Sequence, residues 1–142
     1  MQKPRLLRDS RGFSLIEIMV VMIIIGLLAG LVGPKLFGQL GKAKQKTAKA
    51  QIEMIMAALD AYRLDVGSYP SQQEGLEALI SNPGAGDWAG PYLAKPQIPV
   101  DPWDHTYLYR NPGQNSDIEV ISLGQDNKEG GTGEDADIRS WE

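Results

Sequence analysis

The stretch RGFSLIEIMVVMIIIGLLAGLVG, Arg11 to Gly33, decides how this chain is read. From Phe13 to Gly33 it runs for 21 residues with a single charge, Glu17. As a helix rising about 1.5 Å per residue, it reaches about 30 Å, the thickness of a bilayer's hydrocarbon core. A carboxylate at the centre of such a helix costs about 2.5–3.5 kcal/mol on insertion scales, and less near an end. Glu17 therefore needs a partner or a use.

Charge on either side of the run is uneven. Lys3, Arg5, Arg8 and Arg11 against Asp9 give the preceding residues +3, while the last 26 residues, from Asp117 to Glu142, carry -6. A basic segment before an apolar helix stays in the cytoplasm, which sends the C-terminal part outside. An acidic exported tail repels phosphates, so no nucleic-acid partner is expected, although a cation would be attracted. There is no cysteine. That excludes disulfides, thiolate metal sites, cysteine catalysis and a lipoprotein anchor.

The N-terminus has three readings. In a secretory signal, Ile18 to Leu28 would be the apolar core, with a cut near Ala29 and Gly30. A plain signal anchor is the second. Neither uses Glu17. The third rests on RGFSLIE, which resembles the cleavage motif of type IV pilins and their relatives. In that family a short basic leader ends in glycine, the cut falls before phenylalanine or methionine, and a glutamate lies five residues into the mature chain. The resemblance implies that a prepilin peptidase on the cytoplasmic face cuts between Gly12 and Phe13 and N-methylates Phe13. Gly12 suits a backbone that must enter an active site closely. Glu17 would then meet the new α-amino group of an adjacent subunit, and this low-dielectric charge pair would set assembly register. Snorkelling to the headgroups is the plainer alternative.

Beyond the run, Pro34 removes a helical hydrogen bond. Gly26, Gly30, Gly33, Gly38 and Gly41 weaken the same region. Lys42, Lys44, Lys46 and Lys49 then read as a solvated helical face near the headgroups rather than a DNA-binding run, since no groove-reading motif accompanies them. From Ala48 the pattern is amphipathic: Ala48, Ile52, Ile55, Leu59, Tyr62 and Val66 recur three and four apart. One helix from about Phe13 to Val66 is expected.

After it, Ser71 and Glu74 form a capping box before a short helix bearing Leu76, Leu79 and Ile80. TYLYR and DIEVISL read as two antiparallel strands joined by a turn at PGQNS. The order YPSQQEGLEAL, PVDPWDHTYLY, SLGQDNKEGGTGEDADIRSW resembles the major pseudopilins of bacterial type II secretion systems over nearly the whole chain. Asp104–His105 replaces the glycine-asparagine usual in that family after DPW. The fold expected is α+β and pilin-like, a long N-terminal helix packed on a small antiparallel sheet. Residues 1–12 would be the cleaved leader, 13–33 the transmembrane and assembly helix, and 34–142 the periplasmic head.

SLGQDNKEGGTGEDADI is the candidate site. It sets Asp126, Asp135 and Asp137 around a glycine-rich turn, with Glu129 and Glu134 nearby. Such carboxylates repel one another unless a hard cation with six to eight oxygen ligands holds them. The spacing is not that of an EF-hand, and GGTG lacks the lysine of a nucleotide loop. On the residues alone, a disordered acidic loop is the alternative. The resemblance implies a calcium ion bound by Asp126 and Asp137, with Asp135 and the carbonyls of Leu123 and Thr132.

No catalytic residue is expected. His105, the only histidine, lacks a serine placed as nucleophile. Trp103, Tyr107 and Tyr109 read as core and cross-strand packing. The resemblance implies a homopolymeric periplasmic fibre anchored in the inner membrane, with prepilin peptidase, minor pseudopilins and the secretion platform as partners. A type IV pilin, a minor pseudopilin and a signal-anchored periplasmic binding domain are the other readings.

Overall fold

A computed structural model of the chain describes residues 12–142; of the expected leader, residues 1–11 lie outside the described residues. The first element is helix α1, Leu15–Val66, 52 residues long, and it continues through Pro34 without interruption. The chain divides into two compact units between Gly38 and Gln39.

In the first unit almost every described residue is exposed, including Phe13 at 83%, Leu31 at 76% and Phe37 at 72%. A helix that is apolar all round belongs in lipid or among other helices. It is the one helix among the described residues that is long and apolar enough to cross a membrane.

The second unit, Gln39–Glu142, carries the core. Ala48, Ile52, Ile55, Leu59 and Tyr62 are all buried, as their spacing predicts, with Val66 half-buried at the end of the stripe. Against them pack Leu76, Leu79, Leu93, Tyr107, Tyr109, Ile118 and Val120. The helix ends at Gly67, which takes φ 93 where a side chain would be strained.

The Ser71–Glu74 capping box forms, with Ser71 N donating to Glu74 Oε2 at 2.7 Å and Glu74 N to Ser71 Oγ at 3.3 Å. The element it opens is a five-residue 3₁₀ helix, Gly75–Leu79, rather than an α-helix. Gly75 takes φ 58, so the capping turn cannot run on into α geometry. Leu76 and Leu79 are nevertheless buried as expected.

Three short strands complete the unit: β1, Leu108–Arg110; β2, Glu119–Ser122; and β3, Ile138–Arg139. They form an antiparallel sheet in the order β1-β2-β3. Tyr109 faces Val120 in the first pair and Ser122 faces Ile138 in the second. The first two strands are shorter than TYLYR and DIEVISL suggested, and β3 is one the sequence did not announce. Tyr107 and Tyr109 are core residues. Burial pushes the Tyr109 hydroxyl up to about 12, and it donates to Pro70 O at 2.7 Å.

Candidate metal centre and assembly residues

At the start of α1, the sequence Ser14-Leu15-Ile16-Glu17 folds into a second capping box. Ser14 N donates to Glu17 Oε2 at 3.0 Å, and Glu17 N donates to Ser14 Oγ at 3.2 Å. Two amides at the helix N-terminus are satisfied this way. Glu17 thus has a local partner that the sequence reading missed, although the Ser-x-x-Glu signature was there. Among the described residues nothing lies within 4 Å of where a Cβ at Gly12 would stand, and Phe13 is exposed.

The acidic loop runs from the end of β2 to β3. Its two limbs are joined by Gln125 N donating to Glu134 O at 2.9 Å. Gly124, at φ 67, lets them touch: a Cβ there would lie 2.8 Å from both Glu134 O and Ala136 O. At the tip, Lys128 N donates to Asp126 Oδ1 at 3.1 Å, and Asp126 is exposed. Thr132 is exposed and extended, and its carbonyl accepts from Asp135 N at 3.2 Å. Asp135 is half-buried in the 3₁₀ turn Gly133–Asp135.

Asp137 differs from the others. Its side chain is 5% exposed. Oδ2 accepts from Gly130 N at 3.0 Å and from Arg139 Nη2 at 3.2 Å. Oδ1 is buried and has no partner. A buried carboxylate oxygen left unpaired is costly, and a hard cation is a chemically suitable partner for it. Leu123 and Asp137 line one polar cavity, together with Arg110, Asn115, Glu129 and Arg139. Asp126, Asp135 and Thr132 do not line it. Among the described residues no three acidic or histidine side chains gather into a cluster. As the loop stands, a cation in this cavity would meet the buried carboxylate of Asp137, and Asp126, Asp135 and the Thr132 carbonyl would have to close onto it to complete the shell.

Two further buried acids brace the loop's surroundings. Glu119, fully buried on β2, accepts at Oε1 from Gln114 N at 2.8 Å and from Asn115 N at 2.6 Å. Burial pushes its carboxyl up, but these bonds and the Arg110 charge outweigh that and hold it below the usual value. Arg110 reaches Glu119 Oε2 at 3.7 Å and Glu129 Oε1 at 2.6 Å, tying the loop tip to the strand.

Asp101, 2% exposed, accepts at Oδ1 from Trp103 N at 3.0 Å and His105 N at 2.8 Å. Its Oδ2 accepts from Ser122 Oγ at 2.7 Å. Serine, aspartate and histidine do come together here, but with the aspartate between the other two, and His105 Nδ1 lies 3.9 Å from it. Ser122 is wholly buried and gives its proton to Asp101 rather than to the imidazole. This arrangement fixes the PWDH turn to the end of β2; it does not activate a nucleophile.

Known proteins resemble this chain at both ends. Residues 35–141 match the family model described as type II secretion system (T2SS), protein G, and residues 7–33 match that of the prokaryotic N-terminal methylation motif. A type II secretion system core protein G of Pseudomonas aeruginosa is 48% identical over 140 residues, spanning 95% of this chain and 97% of the relative. One from Vibrio cholerae is 42% identical over 139 residues, spanning 95% and 94%. The crystal structure of the major pseudopilin from the type 2 secretion system of enterohaemorrhagic Escherichia coli is similar at a TM-score of 0.63. That likeness is 34% identical in sequence and covers 76% of this chain and 95% of the other.

Proposed function

The chain belongs to the type II secretion system protein G family, and from that premise we propose that it is the major structural subunit of a pseudopilus. In this reading it is inserted once in the bacterial inner membrane with its head in the periplasm. Prepilin peptidase cuts before Phe13 and methylates it. The subunits then polymerise, with minor pseudopilins and the inner-membrane platform, into a periplasmic fibre that helps move folded proteins across the outer membrane. No residue is assigned a catalytic role, and energy comes from elsewhere in the machinery.

The observation that carries this reading is the exposed apolar helix with its one carboxylate. Nothing among the described residues of the first unit covers Phe13 to Phe37. Burying that surface in lipid, and then among neighbouring helices, is what makes insertion and assembly favourable. Glu17 exchanges its local hydrogen bond for the methylated α-amino group of the next subunit.

We also propose calcium as the ligand of the acidic loop. Asp137 and Asp126 would hold it, with Asp135 and the carbonyls of Leu123 and Thr132. The support is the buried, unpartnered Oδ1 of Asp137. A bound divalent cation would neutralise the loop's carboxylates and cross-link its two limbs. Such a link matters in a small head with no disulfide.

Deleting the chain from its source bacterium and complementing it tests the function. Loss of exoprotein secretion, together with abundant fibres on overproduction, is the expected result. Fibres with unimpaired secretion would point to a type IV pilin, and secretion loss with only traces of fibre to a minor pseudopilin. A freely soluble periplasmic product would contradict the whole reading.

A further inference from the structure

Along α1 before Ala48, Gly41 is the one buried residue. Its neighbours Leu40 and Lys42 are exposed. The cover comes from the acidic loop: a methyl group added at Gly41 would overlap the Glu134 carboxylate. One turn further on, on the same helix face, Gln45 Nε2 donates to Gly133 O. The 3₁₀ turn Gly133–Asp135 therefore sits on a notch made by Gly41 and is held there by Gln45. On its other side the same turn is fastened to the Gly124–Gln125 limb by the Gln125 N to Glu134 O bond. Asp137, with its unpaired oxygen, lies two residues beyond the turn.

We infer that Gly133–Glu134 is a clamp on α1 at Gly41 and Gln45, and that the clamp and cation occupancy of the loop are thermodynamically linked. The cation fixes the two limbs between which the clamp is strung, so its binding pre-orders Gly133 and Glu134 for the helix. By reciprocity, seating the clamp on the helix tightens the cation by the same factor. Glu134 is a positioning residue here, not a ligand. The consequence is that the metal state of the C-terminal loop is felt by the helix seven residues after Pro34, in its glycine-weakened section. The linkage rests on the calcium reading above; the clamp itself does not.

The test uses the full-length protein in detergent micelles, with amide hydrogen exchange and calcium titration on Gly41→Ala, Gln45→Ala and, as control, Gly38→Ala. Alanine is the better helix former, and at Gly38 nothing lies within 4 Å of the new methyl. Gly38→Ala should therefore protect the helix without changing calcium affinity. Gly41→Ala carries the same intrinsic gain but displaces the Glu134 side chain from the notch. It should speed exchange at residues 133–135 and 38–45, lower the melting temperature and weaken calcium binding at least about fivefold. Gln45→Ala, which introduces no clash, should weaken it about two- to tenfold.

Faster exchange at 133–135 with unchanged calcium affinity in both variants would overturn the linkage. If wild type shows no calcium effect at all, the calcium reading fails, and exchange in chelator still decides the clamp. Unchanged protection at 133–135 in Gly41→Ala would then overturn it, and lost protection would support it.

Discussion

Ser14 and Glu17 cap the first turn of α1 for each other, Ser14 N to Glu17 Oε2 at 3.0 Å and Glu17 N to Ser14 Oγ at 3.2 Å. The lone carboxylate of the apolar run thus has an observed role, local capping, to be separated from the proposed one, pairing between subunits. Glu17→Gln separates them, because glutamine keeps the capping geometry but carries no charge. We predict a processed, membrane-inserted protein with unchanged helicity by circular dichroism that forms few fibres by electron microscopy. Normal fibres would assign Glu17 to capping alone.

Asp137 holds the one buried, unpartnered carboxylate oxygen of the acidic loop. Asp137→Asn should abolish calcium-dependent thermal stabilisation, and Asp126→Ala should reduce it. In wild type, free calcium at ten times the dissociation constant should add about 1.4 kcal/mol, and a chelator should remove it. Scanning calorimetry with and without chelator measures both. Full calcium stabilisation in both variants would move the site elsewhere.

Glu119 makes the head sensitive to acid. Its carboxyl stands below its ordinary value of 4.5 in the fold, so the native state binds that proton less readily than the unfolded chain does. The stability it contributes is present above the unfolded value and is lost as pH falls through the folded one. Denaturation followed between about pH 3 and pH 7 should show this loss, and Glu119→Gln should flatten it. At neutral pH the same variant should cost about 1–3 kcal/mol, because Asn115 and Gln114 lose a charged acceptor.

Leu59 and Leu64 lie on opposite sides of α1, one fully buried and the other 85% exposed. Leu59→Ala should cost about 2–5 kcal/mol in urea unfolding of the head, through the cavity it leaves. Leu64→Ala should stay within about 0.5 kcal/mol of wild type.

Asp104 sits at φ 65, where glycine is unstrained and an L-residue is not. The glycine that the family resemblance leads one to expect after DPW would suit this turn shape. Asp104→Gly should stabilise the head by up to about 1 kcal/mol in the same assay.

How much of the fold is legible in the sequence depends on range. The stripe Ala48 to Tyr62 and the two capping boxes are signals spanning three or four residues, and both kinds are present in the fold. Strand β3 was hidden because two residues, Ile138 and Arg139, in an acidic segment carry no alternation. Glu119 is a charged residue, yet it is buried with every other residue of β2, which its local sequence does not signal. The Gly41–Glu134 and Gln45–Gly133 contacts join residues far apart along the chain, which no local pattern encodes. In the candidate site, the sequence presents Asp137 as one acid among several. Its special standing, one oxygen paired to Gly130 and Arg139 and the other left over, emerges only once the loop is folded.

The intact mass and N-terminal sequence of the protein, extracted from its native membrane, test the central claim most directly. A chain that begins at Phe13 and carries one added methyl group is the predicted result. A chain that begins at Met1, or near Leu31, would contradict it.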